Sequence, residues 1–251
     1  MEFSLDLYSI AIIVLGLSIG SFVKGLTGMG LPLVAIPFMA AFLGAEHAVV
    51  VMQIPGLVSN FWLVWRHRAE TTSTHIKYDL IVPACVLTVV GVWFLDSADD
   101  NITILLLAAT VACFLLLLLF NPTFKLDGIV GRIAIPLASC IGGFTQGAAG
   151  VSGPLFSTLI MSFRLNKEGY VFYNGLLFGL FNAIQIIAMI FFEMFTWQRV
   201  IEGCLALIPL LIFQFLGMRL MGHVTPKVFN GAVIVVIVLM ELKLVWEGFG
   251  W

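Results

Sequence analysis

The sequence predicts an all-α polytopic membrane protein made of two inverted repeats, each a glycine-rich broken or re-entrant helical hairpin followed by three transmembrane helices. Three observations predict it. Apolar residues make up 61% of the chain and charged residues only 10%, where a soluble domain carries about a quarter charged. The apolar residues fall in runs long enough to cross a bilayer, which takes about 17–25 residues. Two glycine-rich interruptions, centred on Gly28 and Gly150, stand 122 positions apart. With a mean hydropathy of +1.11, there is too little polar material to cover a water-facing surface, so lipid is the remaining solvent.

The elements follow in order. The N-terminus carries Glu2 and Asp6 and no Lys or Arg before the first apolar run. A secretory signal would begin with a positive region, so this run reads as part of the fold. Repeat one (1–121) opens with a broken apolar segment at 7–43, interrupted from Lys24 to Pro32, and continues with helices at about 47–65, 78–95 and 102–120. A polar linker at 122–132 separates it from repeat two (133–251). There the broken segment is 133–162, interrupted from Gln146 to Pro154, and the helices lie at about 169–192, 199–217 and 228–246. Without a gap, the same offset matches Gly20 with Gly142, Gly25 with Gly147, Pro32 with Pro154, Glu46 with Glu168 and Asn60 with Asn182.

Orientation comes from Lys and Arg in short loops, which favour the cytoplasmic side. Arg66, Arg68 and Lys77 put 66–77 inside, and Lys125 and Arg132 put 121–132 inside. Arg164 with Lys167, and Arg219 with Lys227, read the same way. The loop 96–101 holds Asp96, Asp99 and Asp100 without a cation, and 193–198 has no Lys or Arg; both read outside. The loop after the first full helix is thus inside in repeat one and outside in repeat two. The halves then run in opposite directions, with both termini outside. Each broken segment must enter and leave on one face, as a re-entrant hairpin or a pair of short crossings. A plain eight-span arrangement is the alternative, with the halves parallel.

The interruptions are the candidate site. Freed backbone groups in lipid are tolerated where they line a cavity, and a half-helix N-terminus favours an anion. Paired broken helices in inverted repeats mark the substrate site of secondary transporters. The candidate substrate-binding residues are Lys24, Gly25, Thr27, Gly28 and Gly30 at the first break, and Thr145, Gln146, Gly147, Gly150, Ser152 and Gly153 at the second, with Asn60 and Asn182 from the following helices. Lys24 is a cation within apolar sequence, where a charge marks function by default. Its repeat partner is Gln146. The competing readings are close helix packing through small residues, a snorkelling lysine and hydroxyls bonded to their own helix.

Other polar residues read more plainly. Gln53, Asn174 and Gln185 either line the site or staple helices. Glu46 and Glu168 begin helices and suit their dipoles. His47, His67, His75 and His223 lie near loop ends and read as solvated. Cys85, Cys113, Cys140 and Cys204 fall in apolar runs without metal-like spacing. No phosphate loop, zinc motif or nucleophile elbow occurs, so the chain reads as no enzyme, with no cofactor and no metal. No basic run suggests nucleic acid.

The two breaks, Gly20-Ser21-Phe22-Val23-Lys24-Gly25-Leu26-Thr27-Gly28-Met29-Gly30-Leu31-Pro32-Leu33 and Gly142-Gly143-Phe144-Thr145-Gln146-Gly147-Ala148-Ala149-Gly150-Val151-Ser152-Gly153-Pro154, resemble those of the sulfite exporter TauE/SafE family. The resemblance covers essentially the whole chain. It implies a multi-pass protein of a prokaryotic cytoplasmic (inner) membrane. It further implies a secondary transporter that moves a small anion such as sulfite, sulfoacetate or another organosulfonate by alternating access. The expected partners are that anion and the lipid bilayer, with proton or sodium coupling and a homo-oligomer left open. The alternatives are an anion channel of the same architecture and a non-transporting assembly subunit. Ser152 stands opposite Gly30 and Gly153 opposite Leu31, so the half-sites are unequal.

Overall fold

The structure is a computed structural model, and it describes residues 6–27, 30–72, 77–120, 128–163, 165–220, 235, 238–246 and 248. Among these the chain is helical apart from short turns, without strands. The elements are α1 (Leu7–Thr27), α2 (Leu31–Leu43), α3 (Ala45–Arg66), a short 3-10 turn (Arg68–Thr72), α4 (Tyr78–Ser97), α5 (Asp100–Phe120), α6 (Gly128–Ala149), α7 (Gly153–Met161), α8 (Lys167–Phe191), α9 (Trp197–Leu205) and α10 (Leu207–Leu220). Residues 238–246 are helical as well. Among the described residues, five stretches are long and apolar enough to cross a membrane: Leu7–Leu26, Ala45–Arg66, Tyr78–Ser97, Glu168–Phe191 and Trp197–Leu220. Large apolar side chains such as Trp93, Ile187 and Phe191 stand exposed on them, as lipid-facing residues do.

Each glycine-rich interruption joins a long helix to a short one. On the first, Gly16 lies against Phe38 and Met39, Gly20 against Leu31 and Ala35, and Gly30 against Val23. One number rises as the other falls, so α1 and α2 form an antiparallel helical hairpin. On the second, Gly142 lies against Leu155 and Phe156, and Ser152 bonds back to Gln146, so α6 and α7 form another. Gly30 (φ 96°) and Gly150 (φ 67°) turn the chain at the two tips. Both angles lie in the left-handed region, where glycine carries no Cβ penalty. Proline then enters the first turn of α2 and of α7, where its missing N–H is no loss.

Matched glycines make matched helix crossings. Gly25 of α1 lies against Gln214 and Gly217 of α10, and Gly147 of α6 lies against Thr88 and Gly91 of α4. Small residues let backbones approach closely where lipid supplies no hydrophobic drive. Gly143 meets Ala84 as Gly147 meets Thr88, so α4 and α6 run parallel. In that register α6 ends beside Gly91 and Val92. At 1.5 Å per residue the second hairpin turns about 8 Å short of the end of α4.

At the centre, α3 and α8 run antiparallel. Gly175 lies against Leu63 and Val64, Gly179 against Asn60, and Asn182 against Gly56. Polar contacts join the segments at and beyond their ends. Arg199 Nη1 donates to Glu46 Oε1 at 2.5 Å at one end, and Asn166 Nδ2 donates to Glu70 Oε2 at 3.2 Å at the other.

Three elements differ from the sequence expectation. α6 begins at Gly128, inside the stretch read as linker. The span expected at 199–217 is divided by a turn at Ala206. Pro209 has no N–H to give the carbonyl of Leu205, and its ring crowds that carbonyl. Most of the helix expected at 228–246 lies outside the described residues, as does nearly all of the 122–132 linker.

Candidate functional site

The site is built on α1, α3, α6 and α8. Lys24 stands in the last described turn of α1 and is only 6% exposed. Its Nζ donates to Asn60 Oδ1 at 3.0 Å. Among the described residues no carboxylate pairs with it. An ammonium has three donors, and a buried one is costly unless paired. Ser21, one turn earlier, is fully buried, and its hydroxyl has no hydrogen-bond partner among the described residues.

From Lys24 a chain of amides crosses the middle of the molecule. Asn60 Nδ2 donates to Asn182 Oδ1 at 2.9 Å, between residues 122 positions apart. Asn182 Nδ2 donates to Gln53 Oε1 at 2.8 Å, and Gln53 Nε2 donates to the carbonyl of Val49 at 2.8 Å. The side chain of Val49 lies against Gly150. The hydrogen-bonded chain thus runs from Lys24, beside the first tip, to the Val49 carbonyl, on a residue whose side chain packs at the second tip.

At the second tip, Gln146 Nε2 donates to Gln185 Oε1, and Gln185 Nε2 returns to the Gln146 carbonyl, both at 2.8 Å. Ser152 Oγ donates to Gln146 Oε1 at 2.5 Å. These bonds hold the α6 end against α8 and close the chain over the break. Ser152, the N-cap of α7, makes no side-chain bond to its helix, nor does Gly30 at α2. Neither N-cap side chain thus takes up the first amides of its returning helix, and such amides suit an anion. A Cβ placed on Gly153 would meet nothing within 4 Å, so there is open space at the start of α7.

The thirteen candidates divide by what they touch. Lys24, Asn60 and Asn182 are joined in one network, and Gln146 and Ser152 are joined to each other. Gly30, Gly150 and Gly153 shape the tips. Gly25 and Gly147 sit in helix crossings, and Thr145 bonds its own helix at Gly142 O, 3.1 Å away. Gly28 lies outside the described residues, as does the Thr27 side chain. The structure adds Ser21, whose only sequence signal is its place one turn before Lys24. It gives Gln53 and Gln185 definite partners. Gln185 stands one turn beyond Asn182 on α8 and presents the same face.

Outside this region, His47 does not lie free in solvent. Its Nε2 meets Glu202 Oε2 at 2.7 Å, because α9 packs across the start of α3. His75 and His223 lie outside the described residues.

The family model described as "Sulfite exporter TauE/SafE" matches residues 12–244 of the 251. No curated protein matches the chain, and no solved structure does. The match takes in both hairpins, the amide network and nearly every described helix, and with it the chain belongs to the sulfite exporter TauE/SafE family.

Proposed function

We propose that this multi-pass membrane protein is a secondary carrier for a small, sulfur-containing anion such as sulfite or an organosulfonate, held at the tips of two opposed hairpins and passed by alternating access across the cytoplasmic membrane of a prokaryote. The single observation that carries the reading is Lys24: a buried ammonium with an amide for its one described partner and no described carboxylate beside it. A cation placed this way in lipid is stabilised by an anion brought to it. The first turns of α2 and α7, to which their N-cap side chains make no bond, and the Ser21 hydroxyl, which has no partner among the described residues, offer further donors to the same ligand.

The two-copy organisation, with a first unit over 1–121 and a second over 133–251, is supported by three features. They are the matched crossings Gly25–Gly217 and Gly147–Gly91, the Asn60–Asn182 bond, and the antiparallel run of α3 and α8. Re-entrance of the broken segments is supported by the level at which α6 ends beside α4. In this reading the anionic head rests near Lys24 and the tip amides, while the amide chain through Asn60 and Asn182 senses both halves. One half then rocks against the other, exposing the site to each face in turn.

Radiolabelled sulfite or sulfoacetate in proteoliposomes tests the reading. Counterflow by the intact protein is expected, together with its loss in Lys24→Met at equal insertion. Wild-type flux in that variant would remove Lys24 from the site. Resolved unitary currents in place of counterflow would make the protein a channel.

A further inference from the structure

We propose that His47 and Glu202 form a proton-binding site at the end of the bundle where α3 begins, and that it couples anion movement to a proton; this rests on the carrier reading above. The Glu202 side chain is fully buried, and that of His47 is 18% exposed. The carboxylate accepts from Gln198 Nε2 at 3.0 Å through Oε1 and meets His47 Nε2 at 2.7 Å through Oε2. Among the described residues, His47 Nδ1 has no partner. The imidazole therefore has one nitrogen on a buried carboxylate and one free to take a proton from water.

The charges around the pair leave it the variable one. On α3, Glu46 is matched by Arg199 of α9 at 2.5 Å, and Arg199 also donates to the Met194 carbonyl. From α5, Asp100 Oδ1 accepts from the Ala45 amide at 3.0 Å, at the positive end of the α3 dipole. Glu202 meets His47 directly, with the Gln198 amide on its other oxygen and the Arg199 charge nearby. With a neutral imidazole donating through Nε2–H, the pair carries one negative charge. A proton added at Nδ1 gives an imidazolium against a carboxylate, and the pair becomes neutral. The step forms an Nδ1–H bond as an O–H bond of a hydrated proton breaks, and no bond between heavy atoms changes.

The pair is placed to report to the anion site. His47 stands on the helix that carries Gln53 and Asn60, and Glu202 stands one turn before the break between α9 and α10. Gly203 of α9 lies against Ile54 of α3. Parting α3 from α9 would wet a buried carboxylate, which costs least when the pair is charged. Proton binding thus favours the arrangement closed at this end, and proton loss favours opening.

The test uses proteoliposomes and labelled sulfoacetate, whose sulfonate stays ionised. For the intact protein, a pH gradient is expected to drive accumulation, and a trapped pH dye should register proton movement with the anion. His47→Gln, and separately Glu202→Gln, should keep equal-pH counterflow within about twofold. Both should lose gradient-driven accumulation and the proton movement that the dye registers. A merely structural pair would lose counterflow and accumulation together. Counterflow without any pH-driven accumulation in the intact protein overturns the proton site and leaves the anion carrier standing. Accumulation by His47→Gln equal to that of the intact protein overturns it as well. If a variant fails to insert, the dye measurement on the intact protein decides alone.

Discussion

Lys24 sets the residue-scale energetics. A buried ammonium whose one partner among the described residues is an amide is under-compensated, and replacing a buried charge by an apolar side chain of similar volume is often neutral or stabilising by about 1–4 kcal/mol. Lys24→Met should therefore leave the empty protein at least as heat-stable as the original while abolishing its stabilisation by sulfite, read by differential scanning fluorimetry. A loss of stability without ligand would mean that Lys24 holds the fold. Asn60→Asp should place a carboxylate about 3 Å from Nζ, within charge-assisted hydrogen-bond range, and so supply an internal counter-ion. The fold is kept, and anion affinity falls by at least about tenfold, worth about 1.4 kcal/mol, as seen by titration calorimetry. Tighter binding would contradict the role given to the cation. Lys24, Asn60 and Asn182 were legible in the sequence because a charge or an amide is costly in an apolar run. The partner of each amide was not. Whether Gln146 meets Asn182 or Gln185 depends on how α8 is rotated about its axis, which spacing alone does not determine. His47 was misread for a similar reason: its partner Glu202 comes from a helix 155 positions away.

At the scale of the element, the glycines separate into two kinds that look alike in sequence. A Cβ on Gly147 would lie 2.8 Å from Gly91 Cα and from the Val92 amide nitrogen, all backbone atoms that cannot turn aside. A Cβ on Gly153 meets nothing within 4 Å. Gly147→Val should cost more than the roughly 1–3 kcal/mol typical of overpacking and collapse the yield of monodisperse protein on size exclusion in detergent. Gly153→Ala should leave that yield unchanged. Equal behaviour of the two would refute the crossing of α4 and α6. Both glycines fall in one motif, so pattern marks the hairpin but not which glycines pack and which stand open. The hairpins themselves were legible, because Gly and Pro in lipid have few other uses. The break at Ala206 was less so. Its cause, Pro209, also resembles the prolines that α3, α4 and α6 carry inside continuous helices.

On the scale of the whole molecule, the loops decide how the halves are set. With the native cysteines removed, Ala69→Cys and Glu193→Cys report the two loops that follow the matched helices α3 and α8. Inverted halves predict that an impermeant maleimide labels residue 193 from outside intact cells and residue 69 only after permeabilisation. Labelling of both from one side would make the halves parallel. The antiparallel order of α3 and α8 was readable in advance only through a few Lys and Arg residues, since apolar composition is blind to direction. The anion bound near Lys24 is reached most directly by crystallography with selenite, a heavier relative of sulfite, located by its anomalous scattering. The expected peak lies within hydrogen-bond reach of Lys24 Nζ, about 3 Å, and beside the first amides of α2 or α7. A transport-competent crystal that holds selenite elsewhere, with Lys24 still bonded to Asn60 alone, would contradict it.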